Sequence, residues 1–339
     1  MRVGRVLQTV DWHTAGEPLR LITGGLPPLK GRTMLERREE LAREHDHVRR
    51  LLMREPRGHR DMYGAVLTPP VSGEADFGIL FMHNEGYSTM CGHGIIAAAS
   101  HVVAHGLVAV EEPVTRVAFD TPAGLVRAEV EVRVDGGEAR PLAVRMRNVP
   151  AFVLARDLEL RLEDPRFDRV VADIAFGGAF YAFVDADALG LDLVPQQAPE
   201  LIRLGMLIKD AAVRAADVVH PEEPGLHGIY GTIFYGRPRA GGTARNVTVF
   251  ADGQIDRSPT GTGTSARLAL LAAQGRIAPG EVLRNESIID TIFEGRVVGS
   301  TRVGAFDAVH TEVRGSAHVT GYHTFVLDAD DPVGEGFLV

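Results

Sequence analysis

The segment Cys91–Val108, CGHGIIAAASHVVAHGLV, is echoed 169 residues later by Thr260–Ile277, TGTGTSARLALLAAQGRI. Gly92 aligns with Gly261, Gly94 with Gly263, Ala97 with Ala266, Ala104 with Ala273 and Gly106 with Gly275. Each copy predicts a glycine-spaced turn, an Ala/Leu-rich helix of about three or four turns, a Gly stop and an apolar strand-like run. Chance matching in a Gly-rich chain is the plain alternative. The shared order, length and stop signal favour duplication, which makes the fold two similar halves.

Chain length agrees. At roughly 100–200 residues per domain, 339 residues give two domains, each able to bury a core. We place the boundary at 1–150 and 151–339; no low-complexity linker marks it. The rest of the chain reads mainly as short strands: FGILFM (Phe77–Met82), RVAFDT (Arg116–Thr121), VRAEVEVRV (Val126–Val134) and VTVFA (Val247–Ala251). GAFYAFVDA (Gly178–Ala186) opens the second half much as VGRVLQTVD (Val3–Asp11) opens the first. Met34–Met53 reads as one amphipathic helix whose Arg/Glu face is solvated. The fold class expected is α/β: two halves, each a strand-rich shell around one helix.

Composition excludes several classes. A net charge of -9 argues against nucleic-acid and anionic-membrane surfaces. No apolar stretch follows Arg2 and Arg5, so no secretory leader is expected. No window reaches about 18 uninterrupted apolar residues, so no membrane span is expected. A single cysteine cannot form an internal disulfide, which fits the cytoplasm.

The glycine turns carry the chemistry. Free N–H groups in a first helical turn, with the helix dipole, suit a carboxylate or phosphate. The same field favours a thiolate, so Cys91 stands where a thiol becomes a base or nucleophile rather than an inert core residue. GHGIIA and GTGTSA both fit G-x-G-x-x-A, but a dinucleotide turn follows its strand directly, and here the nearest predicted strand ends near Met82. His101 and His105 have the i, i+4 spacing of zinc ligands, yet no HExxH accompanies them, and a packed or solvated pair is the simpler reading. A Cys–His nucleophile pair with His13, His59, His83 or His93 stays open at this stage.

MCGHG and DRSPTGTGTSARLA resemble the two active-site signatures of the proline racemase family. So do DWHTAGEPLRLITGG, RGHRDMYGAVLTPP, GYSTMCGHG, ARNVTVF and, near the end, GYHTFVLDADDP, so the resemblance spans almost the whole chain. It implies a diaminopimelate epimerase-like fold of two pseudo-symmetric halves with the ligand in the cleft between them. In such a fold the final strands are expected to pack back onto the first half. It also implies chemistry on proline or hydroxyproline with no cofactor and no metal, Cys91 and position 260 forming the catalytic pair. Gly92, His93, Gly261 and Thr262 are implied to hold the carboxylate and ring nitrogen, with Asp256 facing the nitrogen. Tyr63, Ser88 and Phe250 match pocket-lining positions.

Thr260 departs from the two-cysteine pattern of the racemases and epimerases. An unassisted hydroxyl does not ionise near neutral pH, so two-base racemisation is not expected. The Cys/Thr pair instead resembles the family's trans-3-hydroxy-L-proline dehydratases. In that substrate the 3-hydroxyl shares a ring face with the α-hydrogen, so one base suffices for elimination. Alternatives are hydroxyproline 2-epimerase or proline racemase activity, and, in another class, a non-catalytic protein that binds proline analogues. The expected partner is a small molecule, with no nucleic acid and no membrane; homodimer formation is left open.

Overall fold

The structure, a computed structural model, describes residues 3–339, and Arg2 lies outside the described residues. The chain forms two compact units. One comprises the described residues up to Arg145 together with Ser316–Val339; the other is Met146–Gly315.

In the first unit Val3–Thr14 pairs antiparallel with both Ala317–Asp328 and Glu17–Gly24. Glu17–Gly24 then runs parallel to Tyr63–Thr68, which is antiparallel to Phe77–His83. Phe77–His83 is parallel to Val114–Thr121, which is antiparallel to Gly124–Asp135. Parallel neighbours need a crossover of about a dozen residues or more. The first crossover holds α1 (Met34–Glu44) and α2 (Asp46–Met53), the second α3 (Gly92–Ala104).

The second unit repeats this order of pairings. Arg169–Phe176 is antiparallel to Phe180–Asp185, which runs parallel to Gly231–Gly236 across α4 (Ala198–Ala215). Gly231–Gly236 is antiparallel to Ala244–Phe250, which runs parallel to Leu283–Glu286 across α5 (Gly261–Ala273). Leu283–Glu286 pairs antiparallel with Ile292–Val303, and that strand with Phe306–Gly315. Phe306–Gly315 returns to Ala151–Arg161, itself the other neighbour of Arg169–Phe176, through Ala308 opposite Phe152 and Val309 opposite Ala151. Eight strands thus close into a ring.

The matched topology corrects one sequence alignment. Phe180–Asp185 is the second strand of its hairpin and corresponds to Glu17–Gly24; the partner of Val3–Thr14 is Arg169–Phe176. The predicted helix over Met34–Met53 is also two helices. His45 leaves helical geometry at φ -130° and ψ 13°, and Asp46 opens a new first turn that pairs with Arg49 and Arg50. Its charged face is not all solvated: Arg49 is buried and donates to the carbonyls of His83 and Asn84.

Helices α3 and α5 are buried on every side and mostly apolar, as a helix enclosed by a shell requires. Every residue from Gly92 to Val103 and from Gly261 to Leu271 is buried. α3 packs on Val3–Thr14 and Gly124–Asp135, and α5 on Ala151–Arg161 and Phe306–Gly315. Both helices stop identically. Gly106 at φ 63° and Gly275 at φ 65° take the left-handed conformation, and the next N–H returns to the helix, Leu107 to Val102 at 2.8 Å and Arg276 to Leu271 at 2.8 Å. Those returned N–H groups cannot enter a ladder, so the predicted strand-like runs after the two glycines are turns; the next strands begin at Val114 and Leu283. Among the described residues no helix is long and apolar enough to cross a membrane.

Candidate active site

In the first unit the strand Phe77–His83 leads through Tyr87–Ser88 into the turn that starts α3. Cys91 is the N-cap, with extended backbone at φ -146°, and its Sγ accepts the N–H of Gly94 at 3.3 Å. The imidazole of His93 lies against the same sulfur, Nδ1 at 3.2 Å and Nε2 at 3.7 Å. The His93 carbonyl accepts the Thr14 hydroxyl at 2.9 Å, and the edge of its ring meets Tyr63, centroids 4.8 Å apart. Tyr63 in turn shares a 2.5 Å hydrogen bond with the Ser88 hydroxyl. Cys91, Gly92, His93, Tyr63 and Ser88 therefore form one buried cluster. Glycine at position 94 is a steric requirement, because a Cβ would lie 2.5 Å from the Phe81 ring and 3.0 Å from the Cys91 sulfur.

The second unit builds a different helix start on the same plan. Thr260 is the N-cap of α5, but its backbone sits at φ 63° and its side chain caps nothing. Positive φ is a genuine outlier for a β-branched residue and costs on the order of 1–3 kcal/mol. The surroundings hold it there. The Thr260 hydroxyl donates to Asp256 Oδ2 at 2.8 Å and shares a 2.7 Å hydrogen bond with the Thr248 hydroxyl; its N–H donates to the Ser258 hydroxyl at 3.1 Å. Asp256 Oδ1 accepts the Ser258 N–H at 2.7 Å. Since a carboxylate only accepts, the hydrogens run from Thr248 through Thr260 to Asp256.

With no side chain bonded to them, the first N–H groups of α5 carry the helix's positive end outward. The first N–H bond into the helix is that of Thr264 to the Thr260 carbonyl, 2.7 Å, which leaves Gly261, Thr262 and Gly263 without an N–H acceptor among the described residues. This is an anion-binding geometry. The Thr262 hydroxyl bonds the Tyr181 hydroxyl at 2.7 Å. Phe250 follows Thr248 by two residues on the strand Ala244–Phe250, hence on the same face, and stacks on Tyr230 with centroids 5.5 Å apart. Gly263 repeats the role of Gly94: a Cβ would meet Ile233 Cδ1 at 2.5 Å and Thr260 Cγ2 at 2.9 Å.

Sequence reasoning missed Thr14, Thr248, Ser258 and Tyr181, which hold these groups in place. Only strand alternation could have flagged Thr248, through its shared face with Phe250. Other residues in the long motifs are structural. Asp11 and Arg20 form a buried pair at 2.7 Å, and Arg20 also donates to the Leu52 carbonyl at 2.7 Å. Arg245 pairs with buried Glu286 at 3.0 Å. Burial pushes the Glu286 carboxyl up, but N–H groups of Arg239, Gly242 and Ala240, with the Arg245 guanidinium, outweigh it and hold it below the usual range. His101 packs against His105 with the rings tilted and their centroids 4.1 Å apart, and burial pushes its pKa down to about 4 with a further push from His105. That is a packed pair.

Two strand-rich units of matching topology, each around one buried helix that starts at a glycine turn, define the diaminopimelate epimerase-like fold class. The proline racemase profile matches residues 9–338. A trans-3-hydroxy-L-proline dehydratase of Burkholderia cenocepacia is 49% identical over 340 residues, covering 100% of both chains. A 3-hydroxyproline 2-epimerase of Burkholderia multivorans is 48% identical with the same coverage. The crystal structure of a hydroxyproline epimerase from Agrobacterium vitis with bound trans-4-hydroxy-L-proline superposes with a TM-score of 0.92 at 32% identity, covering 100% of this chain and 97% of the other. The chain belongs to the proline racemase family.

Proposed function

We propose that the protein is a hydro-lyase that converts trans-3-hydroxy-L-proline into Δ1-pyrroline-2-carboxylate and water. The observation that carries the reading is the state of Thr260. Its hydroxyl donates to Asp256 and is held by Thr248, so it is a fixed polar group and not a second base. Relatives named trans-3-hydroxy-L-proline dehydratase at 49% and 48% identity support the same reaction.

In this reading the Cys91 thiolate removes the α-proton. A helix start with an N–H at 3.3 Å from the sulfur favours the thiolate, and His93 beside it completes a polar setting for proton transfer. As the C–H bond breaks, charge builds on the substrate carboxylate. The N–H groups of Gly261 and Thr262, with Gly92 and His93, are assigned to that carboxylate and the ring nitrogen, and fixed dipoles there stabilise the developing charge. Asp256 is assigned to the ring nitrogen, with Tyr63, Ser88 and Phe250 as walls. The electron pair moves into a Cα–Cβ double bond as the 3-hydroxyl departs and is protonated to water. The resulting Δ2 enamine tautomerises to the Δ1 imine. No cofactor or metal enters this scheme. A cytoplasmic location belongs to the same proposal, since one cysteine requires no oxidising compartment.

The relative named 3-hydroxyproline 2-epimerase, at 48% identity, favours epimerisation as the second reading. Incubating the protein with trans-3-hydroxy-L-proline and with trans-4-hydroxy-L-proline in D2O, with product identification, separates the two. Imine trapped by o-aminobenzaldehyde from the first substrate supports dehydration. Inverted, α-deuterated product without imine overturns it.

A further inference from the structure

Beside the C-terminal half of α5, away from its Thr260 end, the second unit holds a cavity of about 380 Å³. That volume suits a small molecule. Its lining includes Arg267, only 8% exposed, with the guanidinium carbon 3.6 Å from the centre of the Tyr235 ring. Its Nη1 has no hydrogen-bond partner, and no carboxylate among the described residues forms an ion pair with it. Of the acids nearby, Asp187 pairs with Arg237 at 3.2 Å, Asp185 accepts the Ala188 N–H at 3.2 Å, Glu281 accepts the Ala278 N–H at 2.9 Å, and Asp173, whose charge reaches Arg267 without an ion pair, accepts the Asp157 N–H at 2.9 Å. The lining also includes the apolar side chains of Leu271, Ile277, Val282 and Leu283.

A buried charge is normally paired, because an isolated one is costly to desolvate. Burial accordingly pulls the Arg267 guanidinium below its ordinary pKa. The Tyr235 ring, 3.6 Å from the guanidinium carbon, braces the head group, and an arginine fork matches the two oxygens of a carboxylate. We infer that this cavity is a second ligand site, separate from the Cys91 and Thr260 helix starts, and that it takes a small carboxylate with an apolar body. Its carboxylate pairs with Arg267, and its body lies against Leu271 and Ile277.

The test uses the full chain with L-proline present at a saturating level, so that the helix starts do not contribute. Benzoate, benzamide and inorganic phosphate are titrated calorimetrically into the wild type, Arg267→Met and Ile277→Trp. The second variant fills the cavity from a half-exposed turn and leaves the buried arginine in place. Benzoate is expected to bind saturably, at least about tenfold more tightly than benzamide or phosphate, and each variant is expected to weaken it at least about tenfold with turnover unchanged. Equal benzoate binding in wild type and Ile277→Trp overturns the inference, as does benzamide or phosphate binding as tightly as benzoate. A wild-type dimer that Arg267→Met dissociates in sedimentation velocity also overturns it, because the guanidinium is then met by a second copy.

Discussion

Thr260 Oγ1 lies 2.8 Å from Asp256 Oδ2, and the hydroxyl is the donor. Thr260→Val keeps the β-branched shape and removes the hydroxyl. Asp256 and Thr248, both buried, then lose a partner. The expected cost is about 1–3 kcal/mol of stability, read from chemical denaturation. Dehydration should fall with it, because the loop ahead of α5 loses the bond that fixes its backbone at φ 63°.

Cys91→Ser tests the base directly. A positioned acid or base contributes roughly 10²–10⁴-fold, so kcat for imine formation should fall by about 10³-fold. Binding of L-proline, followed calorimetrically, should survive. Activity within a few-fold of wild type would rule out Cys91 as the base.

Thr260→Cys introduces a thiol where the racemases and epimerases of the family carry their second base. The expected gain is inversion: α-deuterated D-product from L-proline in D2O, at least about tenfold above wild type, measured by chiral chromatography. Absence of any gain would show that position 260 does not face the substrate's second side.

Gly94→Ala forces a methyl to within 2.5 Å of the Phe81 ring and 3.0 Å of the Cys91 sulfur. Overpacking of this kind costs about 1–3 kcal/mol. A lowered melting temperature together with reduced kcat is expected, since the displaced atoms include the base itself.

His101 sets an acid limit. Its folded pKa is down to about 4, from an ordinary 6.5, because burial disfavours the cation. Above pH 6.5 both folded and unfolded forms are neutral and the group is silent. Between 6.5 and about 4 the unfolded chain takes up a proton that the folded chain refuses, so stability falls as pH falls. The loss approaches roughly 3 kcal/mol at the acid end. His101→Phe keeps a ring against Trp12 and has nothing to titrate. Its melting temperature should fall less steeply over that range than that of the wild type.

The doubled architecture was legible because glycine turns, alanine-rich helices and glycine stops leave marks at fixed spacing. The pairing order confirms it, parallel steps included. The helix break at His45 was not legible, since His carries no breaking signal and the apolar points continue through it. Cys91, Gly92 and His93 could be placed together from the motif because they are local in sequence. The contacts of Thr14 and Thr248 could not, because each reaches a partner on another element, 79 residues away for Thr14 and His93 and 12 for Thr248 and Thr260. Nor could the motif show that the Thr260 hydroxyl turns back to Asp256 and leaves the helix start bare, where threonine before a helix commonly caps it.

The eight-strand ring of the second unit has two narrow joints, each with two residue pairs in register. One, Ala244–Arg245 against Asn285–Glu286, is fastened by the Arg245–Glu286 ion pair. The other is fastened by rings, with Phe152 stacked on Phe306 and tilted against Phe176, each pair at 5.3 Å. These fastenings answer to different solvents. Acid that protonates Glu286 loosens the first, whereas a denaturant that wets apolar surface works on the aromatic joint first. The barrel around α5 therefore has a proton-sensitive seam and a water-sensitive one, and the chosen stress decides which opens.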